Sequence, residues 1–337
     1  MDSFGKRLAI VLGLMIIYSN AFSQGKQGYQ DAYNEINQML KGQKPLNFKR
    51  AVFISENAYH NNTLNYKNFC SQIDQIVVKL NQYIDEKGVR KNNMRGQFAA
   101  FNYMMEPSPY NDYTKYTYDF DDLMGDNDWT KMFVTKLLRT KSGNCNSLPY
   151  LYKILNDELG SKVYLALGPN HLYIKHKDND NHWVNVELTN GSFPTDAWVI
   201  SSLSINTDAI KSEIYMKPLT QKESVALCLF DLAEAYKFQY GLDDFVLQLC
   251  NTLIANFPKC IMAYMIKSDV YVKQREDLMK QTHNKRTKSV MELEKLAKEQ
   301  YKIEDDLGYQ AEPAAHYEQW QQDVEKEKER QKQAKLK

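Results

Sequence analysis

The sequence predicts an α+β protein: helices on the amino-terminal side, a small antiparallel sheet in the middle and an all-helical region beyond it. Three observations carry this prediction. Apolar residues recur at helical spacing in residues 27–45 and 64–88. In the second stretch Phe69, Ile73, Ile76, Val77, Leu80 and Ile84 fall on one face, and Gly88 stands where a C-terminal cap belongs. Three short apolar runs, Val163–Leu167, His171–Lys177 and His182–Leu188, are bounded by turn-forming residues and read as strands. From Glu223 onward strand patterns stop and long helical stripes replace them.

The elements follow in chain order. Residues 1–23 read as an export signal, with Lys6 and Arg7 ahead of an apolar run from Leu8 to Tyr18, and Ala21, Phe22 and Ser23 supplying small-residue spacing before Gln24. That run is too short to span a bilayer, so cleavage is expected and anchoring is not. Residues 24–128 form a helical amino-terminal region that includes a helix over Asn92–Met105. Its Tyr-, Asp- and Pro-rich end, residues 106–127, has no clear period and reads as a long loop. The core, residues 129–220, opens with a short helix over Trp129–Leu138. A second helix follows over residues 147–159, where Leu148, Leu151, Tyr152, Leu155 and Leu159 make a buried stripe that Gly160 ends. Pro149 has to lie in its first turn, which puts the N-cap at Asn146 or Ser147 and leaves Cys145 just outside, at the positive end of the helix dipole. Residues 221–275 hold a helix pair, Val225–Tyr240 and Leu242–Phe257, and the start of a third helix. Residues 276–337 form a charged, helix-prone tail with few apolar residues at its end.

Composition narrows the function classes. Removing Lys6 and Arg7 from 43 basic residues, and Asp2 from 42 acidic ones, leaves 41 of each sign, so nucleic acid is not an expected partner. No stretch after residue 23 is long and apolar enough to span a membrane. The protein is therefore expected to be exported, periplasmic or secreted, and not membrane-spanning. Of the 5 cysteines, Cys70, Cys145, Cys228, Cys250 and Cys260, an odd one must stay unpaired in an oxidising compartment. One reading keeps Cys145 free and pairs Cys228 with Cys250 or Cys260; in the other, all five are small buried hydrophobes.

Chemistry concentrates on three residues. Cys145 precedes a helix, His171 opens one strand and Glu187 lies near the end of the next. A nucleophilic thiol needs a base beside it, and the base needs an orienting carboxylate. The helix start and a protonated His171 would favour the thiolate, and the Cys145 N–H is a ready oxyanion donor. Direct opposition of His171 and Glu187 across a hairpin requires an odd-length turn such as Asp178–Asp180, because an even-length turn sends them to opposite faces. A zinc site of His171, His176 and His182 is disfavoured, since His171 and His176 face opposite sides of a strand. The Tyr-rich stretch from Tyr103 to Tyr118 is a candidate wall of a substrate groove.

Two runs, Gly143–Leu148 and Gly168–Ile174, resemble motifs of the bacterial transglutaminase-like family within the papain-like superfamily, and Trp183–Gly191 is similar to that family's third motif. The resemblance covers roughly residues 129–265. It implies a papain-like core followed by tetratricopeptide-like helices, a hint of which is the set Leu232, Ala233, Tyr236 and Pro258. It makes Cys145 the nucleophile, His171 the base and Glu187 the orienting acid, acting on an amide bond of a protein or peptide without metal or organic cofactor. Glu187 stands where the family has Asp, and Leu188 where it has Pro. The second oxyanion donor is unassigned, with Trp129 and Asn144 as candidates. A catalytically inactive member that binds a protein partner through its helices is the competing expectation.

Overall fold

A computed structural model describes residues 25–283, 285–311, 322, 324–330 and 333. The predicted export signal and most of the charged tail beyond residue 311 lie outside the described residues. The observed architecture is mixed and mostly helical, with one sheet of 2 strands and one of 3, as an α+β prediction requires.

Four helices form the amino-terminal part: α1 (residues 25–40), α2 (Phe48–Tyr59), α3 (Tyr66–Glu86) and α4 (Arg95–Met105). The side chains of Asn47 and Asn65 cap α2 and α3 by accepting from the N–H groups of Arg50 and Asn68. Sequence periodicity did not announce α2. Phe48, Ala51, Val52, Phe53, Ile54 and Ala58 are all buried, because the helix is covered on several sides and shows no single apolar stripe.

The segment expected to be a long loop contains a short strand, β1 (Thr117–Tyr118), which pairs in parallel with β2 (Ser142–Gly143). Between them, the single helix expected over Trp129–Leu138 is two pieces. A 3-10 turn (Trp129–Met132) stops at extended Phe133, and α5 (Val134–Thr140) starts anew. The break has a cause. Buried Glu56 of α2 accepts from the N–H groups of Val134 and Thr135 and so caps α5.

Helix α6 (Ser147–Glu158) has Pro149 in its first turn and ends at Gly160, whose φ of +65° suits the residue after a helix. It packs on the three-stranded antiparallel sheet of β3 (Tyr164–Gly168), β4 (His171–Lys177) and β5 (Trp183–Val186), in the order β3-β4-β5. Two small helices, α7 (Asp196–Ser202) and α8 (Thr207–Lys211), follow. The backbone then runs beside β3, with the N–H groups of Met216 and Leu219 donating to Leu167 and Leu165. Successive helices α9 (Gln221–Tyr240), α10 (Asp244–Asn256), α11 (Ile261–Gln281) and α12 (Lys288–Asp306) follow, with α10, α11 and α12 each packed on the one before.

One cluster of buried side chains runs from α1 through the sheet to α11 and includes Tyr29, Phe53, Leu151, Ile174, Leu232 and Val270. All five cysteines are free thiols, so the Cys228 pairing allowed by one of the two readings is not formed. Its sulfur instead turns back along α9 toward the carbonyl of Ser224, at 3.7 Å. Among the described residues no helix is long and apolar enough to cross a membrane.

Candidate active site

The sequence Ser142–Ser147 leaves β2 and enters α6 through a turn held by Asn144. The Oδ1 of Asn144 accepts from the N–H groups of Asn146 (3.0 Å) and Ser147 (3.1 Å), so this buried amide satisfies the first donors of the helix. Gly143 is required here. A Cβ at that position would lie 2.6 Å from Ser147 Oγ and 2.7 Å from a methyl of Leu137. The turn leaves half-buried Cys145 just ahead of the helix, where the sequence placed it.

The sheet supplies the partners. Strands β3 and β4 are joined by the tight turn Pro169–Asn170, with Asn170 at φ +49°, so His171 is the first residue of β4. The connection from β4 to β5 is residues 178–182, an odd length, and His171 and Glu187 therefore share a face. The expected direct opposition does not occur. Lys175 pairs with Asn185, and this register carries Glu187 opposite Tyr173, a diagonal neighbour of His171. Diagonal Cβ atoms stand about 7 Å apart, a gap that the extra methylene of Glu helps to span. The His171 Nε2 and Glu187 Oε2 atoms are 2.6 Å apart. The other carboxylate oxygen accepts from the Thr189 N–H at 2.9 Å, and a backbone bridge between Glu187 and Ser192 fixes the segment.

With Nε2 given to Glu187, the other face of the ring is left for the thiol, and Cys145 lies close enough to His171 to influence its charge. Burial opposes a charge on His171, but the Glu187 carboxylate and Cys145 outweigh it and raise its pKa well above the ordinary histidine value. Burial likewise opposes a charge on Glu187, and the His171 ring and the Thr189 amide hold its pKa below the ordinary value. The stable state of the pair is carboxylate and imidazolium. The three predicted residues are thus brought together.

Tyr118 joins them, and the sequence reading had placed it only in a loop that might wall a groove. Parallel pairing of β1 with β2 sets Tyr118 beside Gly143, and its half-buried phenol lies close enough to Cys145 to be influenced by its side chain and backbone. Burial, with Cys145 and Glu187 nearby, raises its pKa well above that of a free phenol, so it is a neutral hydroxyl. A signal was present: Tyr116, Tyr118 and Phe120 alternate with Thr117 and Asp119, the period of a strand.

The two residues suggested as oxyanion donors lie elsewhere. The Asn144 amide nitrogen donates to the Leu123 carbonyl and to the Met132 sulfur. The Trp129 indole nitrogen is buried without a partner among the described residues, beside a cavity of about 10 Å³ that Glu56, Asn146 and Asp231 also line. The histidines weighed as zinc ligands are divided. His171 is committed to Glu187, His176 to the Lys177 carbonyl, and His182 sits with Asp178 and Asp180 on the exposed hairpin turn. Comparison with family models, with curated proteins and with solved structures finds no match for this chain.

Proposed function

We propose that this protein is an exported cysteine hydrolase or acyl transferase that acts on an amide bond of a peptide or protein, with a transglutaminase-like, papain-like core and tetratricopeptide-like helices after it. The observation that carries the reading is the chain of contacts Cys145–His171–Glu187, with 2.6 Å between the last two. The Cys145 sulfur would attack the amide carbon as thiolate, forming a C–S bond and a tetrahedral oxyanion. Collapse breaks the C–N bond, and imidazolium His171 gives its proton to the departing amine. Water or a second amine then attacks the thioester, His171 takes its proton, and the thiolate leaves as the acid or the new amide forms. Glu187 stays ionised throughout and holds the ring. The N–H of Cys145 and the hydroxyl of Tyr118 are the two donors for the oxyanion.

A second reading rests on that same hydroxyl. Tyr118 lies close to both the thiol and the backbone that an oxyanion would need, which favours a closed site in a non-catalytic binding protein. Alkylation of Cys145 followed by mass spectrometry across pH separates the two. In the enzyme reading, the thiol reacts rapidly well below about pH 8.5, where an ordinary thiol reaches half-ionisation, and His171→Ala removes that low-pH reactivity. Tyr118→Phe then lowers amide turnover on peptide substrates by about tenfold or more without changing substrate affinity. An inert Cys145 that becomes reactive only in Tyr118→Ala would establish the closed-site reading and overturn the enzyme.

A further inference from the structure

A groove of about 820 Å³ opens between α3 and α5, and Cys145, His171 and Glu187 do not line it. Its volume is that of a ligand site. Two buried tyrosines, Tyr103 (6% exposed) and Tyr116 (4% exposed), line it with rings 6.2 Å apart. Neither hydroxyl has a hydrogen-bond partner among the described residues, and neither oxygen is sealed off. Each phenol is therefore part of the groove wall with its donor unspent among the described residues. Burial raises the pKa of both above the free phenol, that of Tyr103 to about 12, so both are O–H donors.

The charged side chains that line the groove are basic, and the Asp112 carboxylate stands near enough to act on Tyr103 and Lys141. Among the described residues no carboxylate lines the groove, while Lys79, Lys136, Arg139 and Lys141 do. Asp119 neutralises Lys136, and exposed Asp112 pairs with Lys79 at 3.2 Å. Lys141 donates only to the carbonyls of Asn111 and Thr114, and Arg139 has no ion pair among the described residues. Arg139 and the two phenols thus line a space without a bonded anion among the described residues, while Lys141 also feels the nearby Asp112 carboxylate.

The third wall selects the kind of anion. Asn68, Gln72 and Gln75 line the groove at successive turns of α3, and their side-chain amides make no hydrogen bond among the described residues. Each amide offers one carbonyl and one NH₂, the complement of a peptide group. They rise about 6 and 4.5 Å along the helix, against roughly 6.6 Å between like-facing groups of an extended chain.

We propose that this groove binds an acidic peptide segment, with its carboxylates on Tyr103, Tyr116, Arg139 and Lys141 and its backbone along the amides of α3. The proposal is independent of the thiol chemistry. Fluorescence anisotropy of a short fluorescein-labelled peptide alternating Glu and Ala, titrated with the whole chain, tests it. Saturable binding that weakens with salt is expected, and the Gln-for-Glu peptide should not saturate. Tyr103→Phe and Tyr116→Phe keep the rings and should each weaken binding about 5- to 10-fold, with melting unchanged. Arg139→Gln should weaken it further and flatten the salt dependence, and Cys145→Ala should leave it unchanged. Absence of saturation, equal binding of the Gln peptide, or wild-type affinity in both Tyr→Phe variants would overturn the proposal. Tighter binding of an acidic oligosaccharide of equal charge would replace the peptide with a glycan.

Discussion

Cysteines occupy two opposed environments in this chain. Cys145 lies at the mouth of α6, half-buried, with a histidine and a phenol close to it. Cys228, Cys250 and Cys260 are fully buried around α9, α10 and α11. There, burial raises the Cys228 pKa well above that of a free thiol and pushes those of Cys250 and Cys260 up to about 12. The same side chain is an apolar spacer in one region and a nucleophile candidate in the other. What differs is the local supply of donors and charge, which a cysteine count does not reveal.

The contrast is broken most forcefully by opening the helical region. Leu249 is wholly buried in α10, and Leu249→Ala should cost about 2–5 kcal/mol through lost burial and the cavity left behind. Chemical denaturation measures the loss. In the folded variant, timed alkylation should find Cys250 and Cys260 more accessible and Cys145 unchanged. If Cys145 labelling shifts as much as theirs, the two environments are not separate.

Acidity sharpens the comparison next. Burial pushes the carboxyls of Glu56 and Asp231 up to about 7, so the folded state holds protons that the unfolded state releases. Their contribution is fully present below the ordinary carboxylate values and is lost as pH rises through about 7. For Glu56 the loss is about 3 kcal/mol. The site pair runs differently. Lowered Glu187 contributes above its ordinary value of 4.5, a contribution lost as pH falls through its folded value. Raised His171 contributes fully below 6.5 and loses that contribution only as pH rises well above it. Melting temperature against pH should therefore decline between about 4.5 and 7 in the wild type and less steeply in Glu56→Gln. An equally steep decline in that variant would place the titrating group elsewhere.

The same division governs what the sequence disclosed. The order of Cys145, His171 and Glu187, the Pro149 start and Gly160 stop of α6, and the strand at His171–Lys177 were legible, since each depends on local chemistry. The break at Phe133 was not, because it is made by Glu56, 78 residues earlier in the chain. The offset of Glu187 from His171 depended on the turn extending to His182, a choice set by Asp178 accepting from the N–H groups of Asp180 and His182. Tyr118 was only faintly signalled by the alternation of Tyr116, Tyr118 and Phe120, because its position at the site comes from pairing with the distant Ser142–Gly143. Helix α2 was hidden because a helix buried on several sides has no stripe.

The smallest effect tests whether the two regions are coupled through α9. This helix carries Cys228 and also Asp231, which accepts from the Tyr150 hydroxyl of α6 at 2.7 Å. Its start is a capping box. Thr220 Oγ1 accepts from the Glu223 N–H at 3.2 Å, and the Glu223 carboxylate accepts from the Thr220 N–H at 2.8 Å. Thr220→Ala removes half of the box and should cost about 1 kcal/mol, with Thr220→Ser retaining most of it. Fraying at residue 220 reaches only the first turn, whereas Asp231 sits three turns further on, anchored by its own bond. A lower denaturant midpoint with unaltered Cys145 alkylation is therefore expected. A matching change in alkylation would mean that α9 moves as one rod and that its cap sets the position of α6, joining the two environments through Asp231.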